Sequence, residues 1–493
     1  MITELAVSAR PHEIRLAVLE DNTLVEFHIE RMLEPGLVGN IYRGRVMRVL
    51  PGMEAAFVDI GLDKAGFLYV TDVLPNIWEL EEEFGSIGSG NMDNRIENLL
   101  QQGQEVLVQV AREPISTKGP RLTTRITLPG HYLVLLPFFD YIGISRRIED
   151  ETERERLKQI VASAKPEGMG FIIRTASEGV EEEKIVYEMG KLIELWQEIL
   201  EKKKHTPLPG LVHCELDLCL KALRDFLGKD TRRLIVDSPQ AYERLKAYAQ
   251  RFVPHLQYMI ELYQGEKPLF ETLEIENVIA YALKPRIDLK SGGYIIIEKT
   301  EALTVIDVNT GRFVGENNLE ETIVKTNLEA VQEIVRQLRL RDLGGIIIID
   351  FIDMRKEEDR QTVLTALVEA LKRDRSKTKI FQMSELGLVE MTRKRTREDL
   401  VQYLCEPCPY CQGMGLVKSK RTICYEIIRE LEQLQTLAPK IGIKAHPDLI
   451  YHMKEKEREV WEQITQQLGK KVEFIPDSHL HLESYEILEI WQE

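Results

Sequence analysis

Two aspartates, Asp307 and Asp350, and one asparagine, Asn309, stand at the ends of two apolar runs, LTVIDVN and GGIIIID. Carboxylate and amide oxygens with no thiol or imidazole among them are hard donors. They suit Mg²⁺ or Mn²⁺, which usually bind through one or two carboxylates, several waters and a substrate phosphate. Such an ion lowers the pKa of a water and offsets charge that builds on a phosphodiester. The plainer reading makes each aspartate a turn former after its strand, a position Asp favours. Convergence separates the two readings, because side-by-side carboxylates need a shared proton or cation.

The flanking pattern supplies that convergence. Leu303, Val305 and Asp307 alternate with Thr304, Ile306 and Val308, which predicts a strand with Asp307 and Asn309 on one face at its end. From Leu319, the apolar residues Ile323, Leu328, Val331, Val335 and Leu338 keep helical spacing, and Gly344-Gly345 is the expected stop. Residues 346–349 are an unbroken run of isoleucine, which predicts a strand buried on both faces and ending on Asp350. Strand, crossover helix and strand make a parallel pair whose ends share one edge of the sheet. Open α/β sheets place their sites at that edge. Asp353 precedes the helical run Val363, Leu364, Leu367, Val368 and Leu371, and is expected to cap it.

A second donor set lies in LCEPCPYCQGMG, where Cys405, Cys408 and Cys411 precede glycines in the manner of a zinc knuckle. The C-x2-C spacing is strong for zinc, but a structural site needs four ligands. Either Cys424 of the same chain joins them, or two chains each contribute Cys408 and Cys411. Spacing alone leaves both open. His213, Cys214 and Cys219 lack ligand spacing and read as packing residues.

Elsewhere the chain supplies scaffolding. Ile14, Leu16 and Val18, the pair Asp21-Asn22, then Val25, Phe27 and Ile29 predict a hairpin. Residues 39–73 and 105–112 carry short, evenly spaced strand signals broken at Pro51-Gly52 and between Gly61 and Gly66, which predicts a small barrel. It resembles the S1-type OB fold, whose exposed aromatics stack bases. On that resemblance Phe57 and Phe67 are the stacking candidates and Arg112 the nearby cation. Residues 75–100 read as a loop insertion, and 182–200 and 217–264 as helix-rich.

Composition sets the class. With 493 residues the chain holds about three domains or more. The hydrophobic content of 43% and charged content of 30% fit a globular protein. The N-terminus shows no signal peptide, and the longest near-apolar run, residues 132–139, is too short to span a bilayer, so no membrane partner is expected. Six cysteines, three of them within seven residues, suit a reduced compartment and metal binding, so the cytoplasm is expected. The net charge of −16 counts against nucleic-acid binding on average, but phosphate contacts need only local cations. Residues 372–397 hold nine Lys or Arg against three acids, and Lys118, Arg121 and Arg125 form an acid-free run.

IDVNTG at 306–311, NLEAVQEIVRQLRLRDLGGIIIIDFIDM at 327–354 and CPYCQGMG at 408–415 resemble the bacterial ribonuclease E/G family, and the similarity covers nearly the whole chain. The resemblance implies a Mg²⁺-dependent endoribonuclease acting on single-stranded RNA in rRNA and tRNA processing and mRNA decay. Asp307 and Asp350 would hold the ion, with Asn309 assisting. It implies that Arg174 and Thr175, in FIIRTAS, hold a 5′-monophosphate, and that Cys408 and Cys411 share zinc between protomers of a dimer, possibly extended to a tetramer. The implied multidomain α/β architecture begins with a ribonuclease-H-like domain (1–35), interrupted by an S1-type barrel (36–125) and a 5′-end sensor region (126–215), and resumed at 216–282. A DNase-I-like catalytic domain (283–404), a zinc link (405–415) and a small C-terminal domain (416–493) follow. The residues after Lys418 are expected to form helical and short strand segments with no Pro- or Arg-rich tail, which sets the resemblance nearer the ribonuclease G branch. The rival readings are a non-catalytic RNA-binding or ribosome-assembly protein and a metal-dependent DNase.

Overall fold

Strands β1 (Thr3–Ala9), β2 (Glu13–Glu20) and β3 (Thr23–Arg31) form an antiparallel series at the start of the chain. The predicted hairpin is β2–β3. Asp21 and Asn22 both take positive φ, 45° and 64°, the two-residue turn that matches strand twist and that Asn and Asp tolerate. The structure is a computed structural model that describes residues 2–33, 36–73, 95–114, 118–311, 319–384, 386–395 and 397–491. It divides into two compact units, Met1–Leu400 and Val401–Glu493. Most of the expected loop insertion, residues 74–94, lies outside the described residues, and within the rest Ile96–Leu99 is a short helix.

The next strands close on themselves. β4 (Ile41–Leu50), β5 (Ala55–Asp59), β6 (Gly66–Tyr69), β7 (Glu105–Arg112) and β8 (Arg121–Thr123) pair in the ring order β4-β5-β6-β8-β7, and β7 returns to β4. The result is a closed five-stranded barrel. Ala56, Val58, Leu68, Val108, Val110 and Leu122 fill its interior. Because side chains alternate along a strand, burial of Ala56, Val58 and Leu68 turns Phe57 and Phe67 outward.

A small sheet follows, made of β9 (Leu128–Pro129), β10 (Leu133–Leu136), β11 (Ile142–Ile144) and β12 (Gly170–Ile173) in the order β11-β12-β10-β9. The helix Glu182–His205 packs on it and inserts Glu188, fully buried, whose carboxylate accepts the backbone N–H groups of His131, Tyr132 and Leu133 at 2.6, 2.7 and 2.9 Å. Burial pushes this carboxyl up to about 7 in spite of the three donors. After β13 (Gly210–His213), which pairs with β4, the stretch expected to be helix-rich contains two strands as well: β14 (Thr231–Val236) and β15 (Ile260–Leu262). They add in parallel to β1 and complete a sheet of order β15-β14-β1-β2-β3. The short apolar run LIV within β14 is too brief to outweigh the helical pattern around it.

The catalytic-candidate stretch builds a six-stranded sheet from β16 (Arg286–Asp288), β17 (Tyr294–Lys299), β18 (Leu303–Asn309), β19 (Gly345–Asp350), β20 (Thr378–Met383) and β21 (Leu388–Arg393), in the order β16-β17-β18-β19-β21-β20. The helices Leu319–Leu340 and Glu357–Leu371 cover one face, where Ile295, Ile297, Ile306, Val308, Ile347 and Ile349 form the core. The other face is more open, and this corrects the two-sided burial expected of β19: Ile346 is 50% exposed and Ile348 half-buried. The helix also ends earlier than its glycines suggest. Asp342, at φ 51°, turns the chain, and the Leu343 N–H closes back on the Leu338 carbonyl at 3.0 Å. Asp342 holds this strained position because Arg393 and Arg397 grip its carboxylate at 2.7 and 2.9 Å.

In the second unit β22 (Lys440–Ala445) is flanked by β23 (Lys471–Pro476), parallel, and β24 (Tyr485–Ile490), antiparallel. The helices Lys420–Gln433, Pro447–Glu455 and Arg458–Leu468 pack on this sheet. No helix among the described residues is long and apolar enough to cross a membrane.

Candidate active site

Asp307 and Asp350 are Cα partners across the parallel strands β18 and β19, so their side chains leave the same open face about 5 Å apart at the backbone. Asn309, two residues beyond Asp307 on that face, donates from Nδ2 to Asp307 Oδ2 at 2.8 Å. The bond fixes one carboxylate oxygen, and the other has no hydrogen-bond partner among the described residues. Burial, then the charges of Asp307 and Asp353, raise the Asp350 carboxyl above its ordinary range. That is the signature of like charges awaiting a counter-charge.

Two devices hold the strand ends. Gly311 takes φ +60°, and a Cβ there would stand 2.4 Å from the Gly292 carbonyl oxygen, so only glycine lets the chain turn directly after Asn309. Beyond Asp350, the fully buried Asn327 of helix Leu319–Leu340 accepts the Ile352 N–H at 3.1 Å and donates to the Ile352 carbonyl at 2.9 Å. The sequence reading passed over Asn327, although a polar residue on the apolar stripe of a helix was a visible signal. Asp353 is not the cap expected of it. The helix begins after Lys356 without a side-chain cap, and Asp353 instead adds a third negative charge near Asp350.

No cluster of three or more His, Cys, Asp or Glu that could hold a metal stands among the described residues. The donor set at the strand ends is thus two carboxylates supported by an amide. It fits Mg²⁺, which keeps its waters and takes few protein ligands, better than an ion that needs an all-protein cage.

On the barrel, Phe57 and Phe67 are direct partners, with ring centroids 5.4 Å apart and edge to face. Tyr69 extends the group, 4.3 Å from Phe67. Register places Arg48 beside Phe57, Arg121 beside Phe67, and Arg112 beside Arg121. The row Arg48–Phe57–Phe67–Arg121–Arg112 therefore crosses all five strands on the outer surface. The sequence reading missed Tyr69, although it stands two residues after Phe67 on the same strand, and Arg48, which only pairing register aligns with Phe57.

Arg174 and Thr175 follow β12, and Ser145 to Arg147 follow its parallel neighbour β11, so the two short motifs meet at one sheet edge. Thr175 Oγ1 lies 3.0 Å from Ser145 Oγ. Arg174 pairs with Asp225 at 2.9 Å and donates to the Gly130 carbonyl. Arg375 donates to the carbonyls of Asp225 and Phe226 at 2.9 and 3.1 Å. Much of the basic run at 372–397 is spent in this structural way: Arg393 is buried between Asp374 and Asp342, at 2.6 and 2.7 Å.

Among the cysteines, Cys408 and Cys411 share a tight turn. The N–H groups of Cys411 and Tyr410, and the Cys411 thiol, lower the Cys408 thiol below its ordinary value, and the Gly415 N–H donates to Cys411 Sγ at 3.2 Å. Backbone donors on both sulfurs suit thiolates that bind a soft metal. Cys424, the ligand of the single-chain alternative, stands in no group of three or more His, Cys, Asp or Glu among the described residues. That thiol is fully buried in the core of the second unit, where it accepts Trp461 Nε1–H at 3.0 Å.

The fold and the strand-end carboxylates define a multidomain α/β protein with a closed barrel and a two-carboxylate candidate metal site. The profile of a family described as "Ribonuclease E/G family" matches residues 127–396, and that of "RNase E/G, Thioredoxin-like domain" matches 407–490. Ribonuclease G of Salmonella typhimurium (strain SL1344) is 46% identical over 490 residues, covering 99% of this chain and 100% of that one. Ribonuclease G of Haemophilus influenzae (strain ATCC 51907 / DSM 11121 / KW20 / Rd) is 44% identical over 98% of this chain and 99% of its own length. Ribonuclease E of Nostoc sp. (strain PCC 7120 / SAG 25.82 / UTEX 2576) is 43% identical over 77% of this chain and 54% of that one. The chain belongs to the ribonuclease E/G family.

Proposed function

We propose that this protein is a cytoplasmic endoribonuclease that hydrolyses phosphodiester bonds within single-stranded RNA, with one Mg²⁺ held by Asp307 and Asp350. The observation that carries this reading is the register of the two aspartates, with Asn309 bonded to one of them. When bound, the ion supplies positive charge to the phosphodiester and acidifies the attacking water. Asn309 holds Asp307 in place through its Oδ2, leaving Oδ1 as the oxygen that would meet the ion. Asp350 would serve as the second carboxylate ligand, where the ion's charge would offset the burial and the neighbouring charges of Asp307 and Asp353.

The remaining parts of the reading assign the barrel to the S1 type of OB fold, the sheet of β1–β3, β14 and β15 to a ribonuclease-H-like domain, and the sheet of β16–β21 to a DNase-I-like one. The outer row of the barrel grips RNA, with bases on Phe57 and Phe67 and phosphates on Arg112. Arg174 and Thr175 take a 5′-monophosphate, which competes with Asp225 for the Arg174 fork. Cys408 and Cys411 of two chains complete a four-sulfur zinc site that joins a dimer, on which a tetramer can be built. The processes assigned to it are rRNA and tRNA maturation and messenger decay, those that the family resemblance implies.

The test is cleavage of a 5′-monophosphorylated, A/U-rich oligonucleotide with Mg²⁺ and then with EDTA. Cleavage of RNA, its loss with EDTA and in Asp307→Asn, and no cleavage of the same DNA sequence are expected. Binding without cleavage would favour a non-catalytic RNA-binding protein instead.

A further inference from the structure

The open face that carries the two aspartates holds a second constellation, which the chemistry above leaves unused. Arg286, Ile296, Asp307 and Asp350 are successive Cα partners across β16, β17, β18 and β19. Arg286 therefore leaves the same face as Asp307 from two strands away, about 10 Å at ordinary strand spacing. Tyr294 is the partner of Asn309, one strand and about 5 Å away.

The Arg286 guanidinium lies over the Tyr294 ring, 3.9 Å from its centroid. Its Nε donates to Asp288 Oδ1 at 3.0 Å. The Tyr281 hydroxyl steadies that carboxylate by donating to Oδ2 at 3.2 Å, and it accepts the Asp288 N–H at 2.8 Å. The Arg286 side chain nonetheless remains 58% exposed. A flat cation that is fixed on one side by an aromatic ring and open on the other is a ready stacking surface for a nucleobase. Its charge also draws in the phosphate backbone. Fixing the side chain in advance removes much of the ordering cost of binding.

We propose that Arg286, backed by Tyr294, is a nucleotide subsite beside the cleavage site. It stacks the base of a nucleotide adjoining the scissile phosphate and so sets where the strand lies over Asp307 and Asp350. The inference rests on the reading of those aspartates as the cleavage site. Stacking makes no demand on base identity, so the subsite positions the strand without selecting its sequence.

Single-stranded 5′-monophosphorylated RNA oligonucleotides test this, with wild type, Arg286→Ala, Tyr294→Ala, Tyr294→Phe and Asp307→Asn. The two alanine variants are expected to raise KM about tenfold, the scale of one lost stacking contact, with kcat little changed. Tyr294→Phe should match wild type. In Arg286→Ala the slope of log affinity against log salt should fall by about 0.7, the value for one phosphate of a single strand. A series of oligonucleotides with one abasic position scanned around the cleaved bond gives the independent readout. At one position wild type should fall to the level of the alanine variants, and those variants should lose nothing more. Unchanged KM in both alanine variants, a loss in kcat alone, or equal abasic losses in wild type and variants at every position would each overturn the subsite. Retained cleavage by Asp307→Asn would overturn the site reading beneath it, whereas loss there with unchanged Arg286→Ala kinetics would overturn the subsite alone.

Discussion

Asp307 and Asp350 are register partners across two parallel strands, and neither carboxylate has a cationic side chain as a hydrogen-bond or salt-bridge partner among the described residues. A protein that places two anions side by side on an exposed sheet edge gives up stability unless something positive arrives. The measurable consequences follow from that.

Without metal, Asp350→Asn should melt at a higher temperature than wild type. Burial and the charges of Asp307 and Asp353 raise its folded carboxyl pKa above the unfolded value. The folded state therefore favours the protonated form, and stability is lost as pH rises from the unfolded pKa through the raised folded one, levelling off above it. At neutral pH the ionised pair is a net cost that the amide removes. Mg²⁺ should raise the melting temperature of wild type and have little effect on Asp350→Asn, while cleavage by the variant falls by about a hundredfold or more, the scale of one lost charge-stabilising group. Differential scanning fluorimetry with and without Mg²⁺, beside the cleavage assay, checks both.

Asn327→Ala should destabilise the first unit by about 1–3 kcal/mol, because it strands the part-buried N–H and carbonyl of Ile352. It should also lower cleavage, since Ile352 fixes the chain just after Asp350. Asn327→Asp keeps the acceptor for the Ile352 N–H but loses the donor, and should fall between. Urea unfolding and single-turnover rates separate the two effects.

Phe57→Ala and Phe67→Ala should each weaken binding of single-stranded RNA by about 1–3 kcal/mol, the range for one base stacked on one ring. Because the rings touch, the double variant should cost less than the sum. Arg48→Ala, at the end of the same row, should flatten the salt dependence of binding without altering cleavage of bound RNA. Fluorescence titration across a salt series reads all of these.

Removal of zinc by a strong chelator, or Cys408→Ser, should convert an assembled species to a smaller one in sedimentation velocity. Cys424→Ser should leave assembly intact, because that thiol lies in the core and bonds to Trp461. Retention of the assembled species after chelation would remove the shared-zinc reading.

Much of the site was legible along the chain. The period-two alternation before Asp307, the helical period after it and the isoleucine run before Asp350 are local signals, and βαβ handedness and strand adjacency turn them into one sheet edge. The hairpin turn at Asp21-Asn22 was legible for the same reason, since few residues accept positive φ twice in succession. The arrest of the long helix was not. Gly344-Gly345 looked like the stop, but Arg393 and Arg397, fifty residues downstream, hold Asp342 in the turn instead. Asp353 looked like a cap because its neighbours in sequence suggested one, whereas its charge is one of those that raise the Asp350 carboxyl.

The sequence by itself determined which residues carry hard oxygen donors, which carry sulfur, and where strands and helices alternate, because periodicity and residue chemistry are properties of neighbours in the chain. Only the tertiary structure decided what faces what. It aligned Arg48, Phe57, Phe67, Arg121 and Arg112 in one row, paired Arg174 with Asp225, buried Cys424 against Trp461, and set Arg286 and Tyr294 on the face of the two aspartates. Pairing register and packing bring together residues tens to hundreds of positions apart, and a one-residue slip would turn each of them to the opposite side.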